Sequence, residues 1–320
     1  MPVTVTPMRP GFGAVLSGVD IAKPLADADR SAILRAMDDY AVLAFRDTGL
    51  DDAGHVEFSR IFGHVERIPS FHTLFKGDGA ARDDAPAEYG AYISGITNMT
   101  ADGRIVTDPE RRRLYTADRL WHTDSSFVAK RAGYSALLAY VVPPVEGNTE
   151  FADLRAAYDD LSPAMKARIE GLEAEHCFWW SRRAGGYDIS EADAMAMPAA
   201  RQPLVITLPC GRKSLCLASH IRAVVGMDLA EGRALIDELT AFATQPRYVL
   251  SYRWAAGDLV VWSNLATVHR AAGYDDLRYP RNMRRTTIRA PGFGDGDDDN
   301  YLAMYGTSLD MMGRSADLTN

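Results

Sequence analysis

The sequence predicts a mainly β fold with helical insertions (α+β), built around a closed or double-sheet antiparallel core. Three observations lead there. Strand candidates dominate the second half of the chain. "YVLSYRW" alternates, placing Tyr248, Leu250, Tyr252 and Trp254 on one face. The strands are not separated by the regular helical crossovers that a doubly wound parallel sheet needs. The 320 residues contain no internal repeat and read as a single domain, 1–320, with a Gly- and Asp-rich tail from about 291 expected on the surface.

The elements follow in order. "ADADRSAILRAMDDY" carries Ile33, Leu34, Met37 and Tyr40 at helical spacing. It runs into "AVLAFRD", a short apolar strand. "DDAGHVEFSRIFG" reads as a helix ending at Gly63. Residues 64–118 are rich in Gly, Asp and Arg, with a turn signal at Thr107-Asp-Pro109, and read as mostly loop with a strand at 90–94. A loop of that length suggests a lid. "SALLAYVVPP" is a buried strand. "DLRAAYDDL" is a helix capped by Asp153, and "SPAMKARIEGL" one capped by Ser162 with Pro163 at its first position. Residues 204–208 and 214–218 form two strands around "CGRK". "DLAEGRALIDELTAFATQ" is the clearest helix, with Asp228 and Glu231 in a capping-box pattern. "GDLVVW" and "RRTTIRA" are strands.

Composition narrows the function. A formal net charge of −8 argues against a nucleic-acid partner, while leaving room for a local basic pocket. No apolar run reaches the roughly 18 residues of a membrane span, and no signal peptide is evident. Cys177, Cys210 and Cys216, without a CxxC, suit reduced thiols in the cytoplasm. Asn98-Met99-Thr100 matches a glycosylation sequon, a pattern common by chance. "DGDDDN" at 295–300 does not fit a calcium loop, because Asn300 and Gly306 stand where Gly and Glu are needed.

One stretch carries chemistry, "RLWHTDSSF" at 119–127. On a strand, His122 and Asp124 would share a side, with Thr123 turned away. The pair alone fits chance, a hydrogen-bonded core pair or two metal ligands. His269, just past the "GDLVVW" strand and a short loop, offers a third ligand. It precedes a basic cluster of Arg270, Arg278, Arg281, Arg284 and Arg285. Two His and one carboxylate make the facial triad of non-haem Fe(II) oxygenases, which leaves positions open for reactants. Closed zinc sites are usually richer in Cys and His.

"LWHTDSSF", "PPVEGNTEFADLRAAYDDL", "GDLVVWSNLATVHRAAGYD" and "RRTTI" occur in this order after "VTPMRPGFGAVLSGVDIAKPL". Together they resemble the TauD/TfdA family of Fe(II)- and 2-oxoglutarate-dependent dioxygenases, over about residues 3–290. The likeness is strongest to the 2,4-dichlorophenoxyacetate dioxygenase branch. The resemblance implies a double-stranded β-helix, a jelly-roll, cupin-like core. It implies His122, Asp124 and His269 as catalytic Fe(II) ligands, and Thr149 and Arg281 on the distal carboxylate of 2-oxoglutarate. Arg281 is placed by aligning backward from "RRTTI", since the gap from His269 is one residue longer than in the best-known members. Arg285 matches a second family arginine, near the substrate anion or the co-substrate. His220 matches a position proposed to meet a substrate carboxylate, and Ser126 lies in the part of the stretch nearest the substrate. A guanidinium grips a carboxylate through two parallel hydrogen bonds, and a hydroxyl adds a third.

The implied reaction uses O2 to decarboxylate 2-oxoglutarate to succinate and CO2 while hydroxylating a C–H bond. The expected substrate is a small organic anion, because the basic cluster holds more charge than one co-substrate needs. Aryloxyalkanoates, cleaved to a phenol, come first. Taurine or other alkylsulfonates and amino acids are the alternatives, and family likeness suggests a homo-oligomer. Trp179 and Trp180 either reshape the pocket or cover the core. Arg182 and Arg183 are anion-binding or surface charges. A non-catalytic ligand-binding jelly roll and a zinc hydrolase are the competing classes. Neither explains Thr149 together with Arg281.

Overall fold

The computed structural model describes residues 2–67, 87–100, 102–294 and 301. Seven strands form the largest sheet, in the order β1 (Thr4–Arg9), β2 (Phe12–Ser17), β3 (Val42–Phe45), β13 (Leu259–Ser263), β5 (Ala132–Val141), β15 (Asn282–Arg289) and β4 (Ser94–Thr97). Neighbours run antiparallel except β2 and β3. A second sheet orders β12 (Val249–Tyr252), β6 (Thr149–Asp153) and β14 (Thr267–Ala271). A third orders β11 (Ile221–Val224), β7 (Glu173–His176) and β8 (Ala200–Pro203). Strands β9 (Val205–Thr207) and β10 (Lys213–Leu215) pair across the "CGRK" turn, as expected.

The period of two explains why "LVVW" is apolar throughout. Val260 and Trp262 pack with Leu137, Met283, Phe151, Leu250 and Tyr252, which fills the space between the seven-stranded and second sheets. Leu259 and Val261 face the other way, with Ala136, Leu138 and Ile288. Ile33 and Met37 of helix Asp27–Tyr40 and Phe58 of helix Asp52–Ser59 cover that face. A central strand buried on both faces shows no polar alternation.

The caps form as read. Asp153 accepts from the backbone N–H of Arg155 and Ala156, Ser162 from Met165, and Asp228 from Ala230 and Glu231. The Glu231 carboxylate reaches Arg168 instead, so the capping box is half made. Between 64 and 118 the expectation needs correction. The strand lies at Ser94–Thr97, preceded by helix Ala87–Gly90, and Pro109–Thr116 is a helix. "PERRRLYT" has too few apolar residues to show helical periodicity. Of the 64–118 segment read as a lid, residues 68–86 and 101 lie outside the described residues. The tail is not all surface: Phe293 is exposed, but Tyr301 is buried beside Leu114 and Phe127. No described helix is long and apolar enough to cross a membrane.

Candidate metal centre and active site

His122 and His269 meet backbone to backbone. His122 N donates to His269 O at 2.9 Å and His269 N to His122 O at 2.7 Å, an isolated antiparallel bridge. His269 lies past β13 and a short turn, as expected, and itself belongs to β14. His122 holds a single bridge position, and the chain turns at 124–127 instead of continuing extended. Ser125 takes a positive φ of 55°, a conformation an L residue adopts only under surrounding constraint. Tyr301 Oη donates to its hydroxyl at 2.7 Å. Thr123 does turn away, donating to Asn264 O at 2.7 Å. Asp124 and the two imidazoles consequently converge: one donor atom from each lies within 4.8 Å of the others, and all three residues are buried.

The electrostatics fit a divalent cation. Burial alone would raise the Asp124 carboxyl, but the Arg285 guanidinium, the His269 and His122 rings and the Ser135 hydroxyl hold it down to about 2. Ser135 Oγ donates to Asp124 Oδ2 at 2.7 Å, and Arg285 Nη1 to Oδ1. Burial and the neighbouring His122 push His269 well below the ordinary histidine range, so its ring is neutral. His122 Nδ1 lies 2.8 Å from Leu120 O, which makes Nδ1 an N–H donor and leaves Nε2 as the ring's candidate ligand atom. The neutral His269 ring, the ionised Asp124 carboxylate and the His122 ring converge as a donor set that suits a cation. Phe151 and Trp262 pack against the His269 ring, at centroid distances of 6.1 and 4.8 Å.

The basic cluster resolves into individual roles. Arg270 pairs with Glu150 at 2.6 Å, and Arg284 with buried Asp52, so charge counting overstated the free cations. Arg281 is different. It is buried and has no acidic partner among the described residues. Nearby Asp276 is taken by Arg112 and Arg119, and Asp118 by Arg182. Burial pulls Arg281 below its ordinary range, and Tyr274 and Asp118 offset part of that. It lines a cavity with Thr97, Asn98, Tyr274, Ala271 and Ala272. Ala271 is the cross-strand partner of Thr149. The Thr149 oxygen accepts from Trp254 Nε1 at 3.0 Å, which leaves its O–H free to donate. Arg285 spends Nη1 on Asp124 while its Nε is buried without a partner among the described residues, so it keeps donor capacity.

His220 stands edge-on to His122 at 6.1 Å and to Phe127 at 4.9 Å. Ser126 Oγ lies 3.1 Å from His220 Nδ1 and 2.8 Å from His176 Nδ1. Its hydroxyl is thus engaged by two imidazoles. Trp179 is core, and Trp180 stacks under Arg233 and Arg183, so the aromatic pair covers the interior. Arg182 and Arg183 pair with Asp118 and Glu191.

Sequence reasoning missed four supporting residues: Ser135, His176, Gln202 and Asn98. Gln202 Nε2 donates to Ser126 O and Val128 O, at 3.1 Å each. Asn98, noticed only as a sequon, donates to Asp276 O and Tyr279 O at 2.7 and 2.9 Å and accepts from Arg281 N at 2.7 Å. Its amide nitrogen is committed to clamping the segment that carries Arg281. The contacts join residues distant in sequence, and no local pattern announces them.

Residues 4–287 match the family model described as "Taurine catabolism dioxygenase TauD, TfdA family". The alpha-ketoglutarate-dependent 2,4-dichlorophenoxyacetate dioxygenase of Cupriavidus pinatubonensis is 38% identical over 291 residues, 90% of this chain and 98% of the relative. The (S)-phenoxypropionate/alpha-ketoglutarate-dioxygenase of Sphingobium herbicidovorans is 33% identical, covering 85% and 90%. The crystal structure of AAD-2 in complex with Mn(II) and N-oxalylglycine superposes with a TM-score of 0.78 at 35% identity, over 90% of this chain and 98% of that one.

Proposed function

The chain belongs to the TauD/TfdA family of dioxygenases, and from that premise we propose that it hydroxylates aryloxyalkanoates, using 2-oxoglutarate and O2. His122, Asp124 and His269 are the residues to hold Fe(II). The bound metal supplies the oxidative chemistry: one O2 and one 2-oxoglutarate give succinate, CO2 and one hydroxylated C–H bond. Thr149 and Arg281 hold the distal carboxylate of the co-substrate. Arg285 and His220 face the substrate anion. Ser135 keeps Asp124 ionised and oriented. Hydroxylation beside the ether oxygen of an aryloxyacetate gives a hemiacetal that collapses to a phenol and glyoxylate.

The observation that carries this reading is Arg281. A buried guanidinium is costly unless paired, and this one meets a cavity, with its neighbouring acids already engaged by other arginines. A dicarboxylic co-substrate supplies the missing charge. A hydrolase centred on the triad would have no use for it. We further take the two facing sheets as the double-stranded β-helix and the chain as one domain. Three unpaired cysteines support a cytoplasmic location, and homo-oligomerisation rests on the family likeness.

The test is a panel of aryloxyacetates, taurine and amino acids, scored for succinate and for phenol with Fe(II) and 2-oxoglutarate present. The reading predicts phenol and succinate in equal amounts from aryloxyacetates. Strong succinate formation with taurine or an amino acid and none with aryloxyacetates would overturn the substrate assignment.

A further inference from the structure

Beyond the metal centre, three buried residues form a chain, His176 to Ser126 to His220. We propose that His176 is a positioning residue which, through Ser126, fixes the tautomer of His220 so that His220 presents an N–H to the substrate anion. This rests on the substrate reading above for the identity of the anion, but not for the proton arrangement.

The number of protons the three groups share decides their order. Burial keeps His176 neutral, so its ring carries one N–H. Ser126 Oγ sits between the two Nδ1 atoms, at 2.8 and 3.1 Å, and has a single proton to give. Two N–H donors would leave the buried Ser126 O–H with no acceptor among the described residues, so one imidazole donates to Ser126 and the other accepts from it. If His220 donated, His176 would carry its proton on Nε2, which is sealed in the interior without a partner among the described residues. An orphaned buried N–H is among the rarest features of native proteins. The opposite order avoids it. His176 Nδ1–H donates to Ser126, Ser126 O–H donates to His220 Nδ1, and the proton of His220 moves to Nε2. That atom has no partner among the described residues, and its ring stands beside His122. An anion near the centre selects the same order, since it needs a donor.

The scaffold holds this arrangement. His176 ends β7, paired with Ile221 of β11, and Cys177 N donates to His220 O at 2.8 Å. Gln202 of β8 clamps the carbonyls of Ser126 and Val128. All three members of the chain, and the clamp, thus hang on one sheet.

The experiment has two arms. Imidazole 15N–1H correlation spectra of the full chain, loaded with diamagnetic Zn(II), read which nitrogens carry protons. His176 is expected to be protonated at Nδ1 and His220 at Nε2, and Ser126→Ala is expected to alter the His220 pattern. Protonation of His220 at Nδ1 in the wild type, or an unchanged pattern in Ser126→Ala, overturns the proposal. In the kinetic arm, KM for phenoxyacetate rises about tenfold or more in Ser126→Ala and His176→Phe, the equivalent of one lost hydrogen bond to an anion. KM for 2-oxoglutarate stays unchanged. His176→Asn, which can still donate at the Nδ1 position, and Ser126→Thr restore binding. The neutral phenoxyacetamide, which can donate to an unprotonated Nε2, loses less than phenoxyacetate. Equal losses for acid and amide would indicate mere structural damage and overturn the proposal. Absence of turnover with phenoxyacetate in the wild type would count against the substrate reading, while the spectra still decide the relay.

Discussion

His122 and His269 exchange two backbone hydrogen bonds, at 2.9 and 2.7 Å, and their ring centroids stand 4.2 Å apart. Main-chain geometry alone therefore brings the two imidazoles together. The turn after Thr123 then delivers Asp124, whose carboxylate is oriented by Ser135 and Arg285. Removing a residue that orients a metal ligand costs roughly 10–100-fold in metal affinity. Ser135→Ala is expected to weaken Mn(II) binding, measured by titration calorimetry, by that amount while leaving the fold intact.

Arg281 separates function from stability. Arg281→Met is expected to raise KM for 2-oxoglutarate by about 10–100-fold, the scale of one charge-assisted hydrogen bond. Its thermal midpoint should stay level or rise, because a buried charge without an acidic partner among the described residues is removed. Asn98→Ala, which frees the segment behind Arg281, should raise the same KM by about tenfold or less. Saturation curves for both substrates and a thermal scan check all three statements. A large fall in the Arg281→Met midpoint would show that the guanidinium is structurally paired.

Arg155 is the opposite case. It pairs with Asp153 through Nε and Nη2, at 3.0 and 2.9 Å, and donates to the carbonyls of Asp38 and Gly11, with both side chains buried. Arg155→Ala leaves the Asp153 carboxylate buried and uncompensated. The expected loss is about 3–5 kcal/mol in urea unfolding.

His55 contributes a separable part of the pH dependence, alongside buried His176. It is fully buried, with Nε2 at 3.2 Å from Ala136 O, and burial lowers it to about 4. The unfolded chain, with an ordinary histidine near 6.5, takes up a proton that the folded chain refuses. The His55 contribution is therefore complete above pH 6.5 and lost as pH falls toward 4, at about 1.4 kcal/mol per unit. Unfolding free energies at pH 7.5, 6 and 5 should fall in the wild type, and more gently in His55→Gln.

Much of the fold was legible because strand alternation and caps are local. Tyr248, Leu250, Tyr252 and Trp254 are buried along their segment, and Asp153, Ser162 and Asp228 cap the helices they precede. The triad was legible through its residue types. The strand reading of His122 to Asp124 was not, because the turn depends on a positive φ at Ser125 that no glycine advertises. The substrate argument from the Arg cluster failed for Arg270 and Arg284, since Glu150 and Asp52 lie far away in sequence. Tyr301 reaches Ser125 from a tail whose composition reads as solvent-exposed.

The central claim is that the triad runs 2-oxoglutarate-dependent oxidation. Its most direct test is succinate formed in a single turnover, when O2 is admitted to anaerobic protein holding equimolar Fe(II), 2-oxoglutarate and an aryloxyacetate. The account predicts close to one succinate per Fe(II) site in the wild type and none in His269→Ala. No succinate from the wild type, or undiminished succinate from His269→Ala, would contradict it.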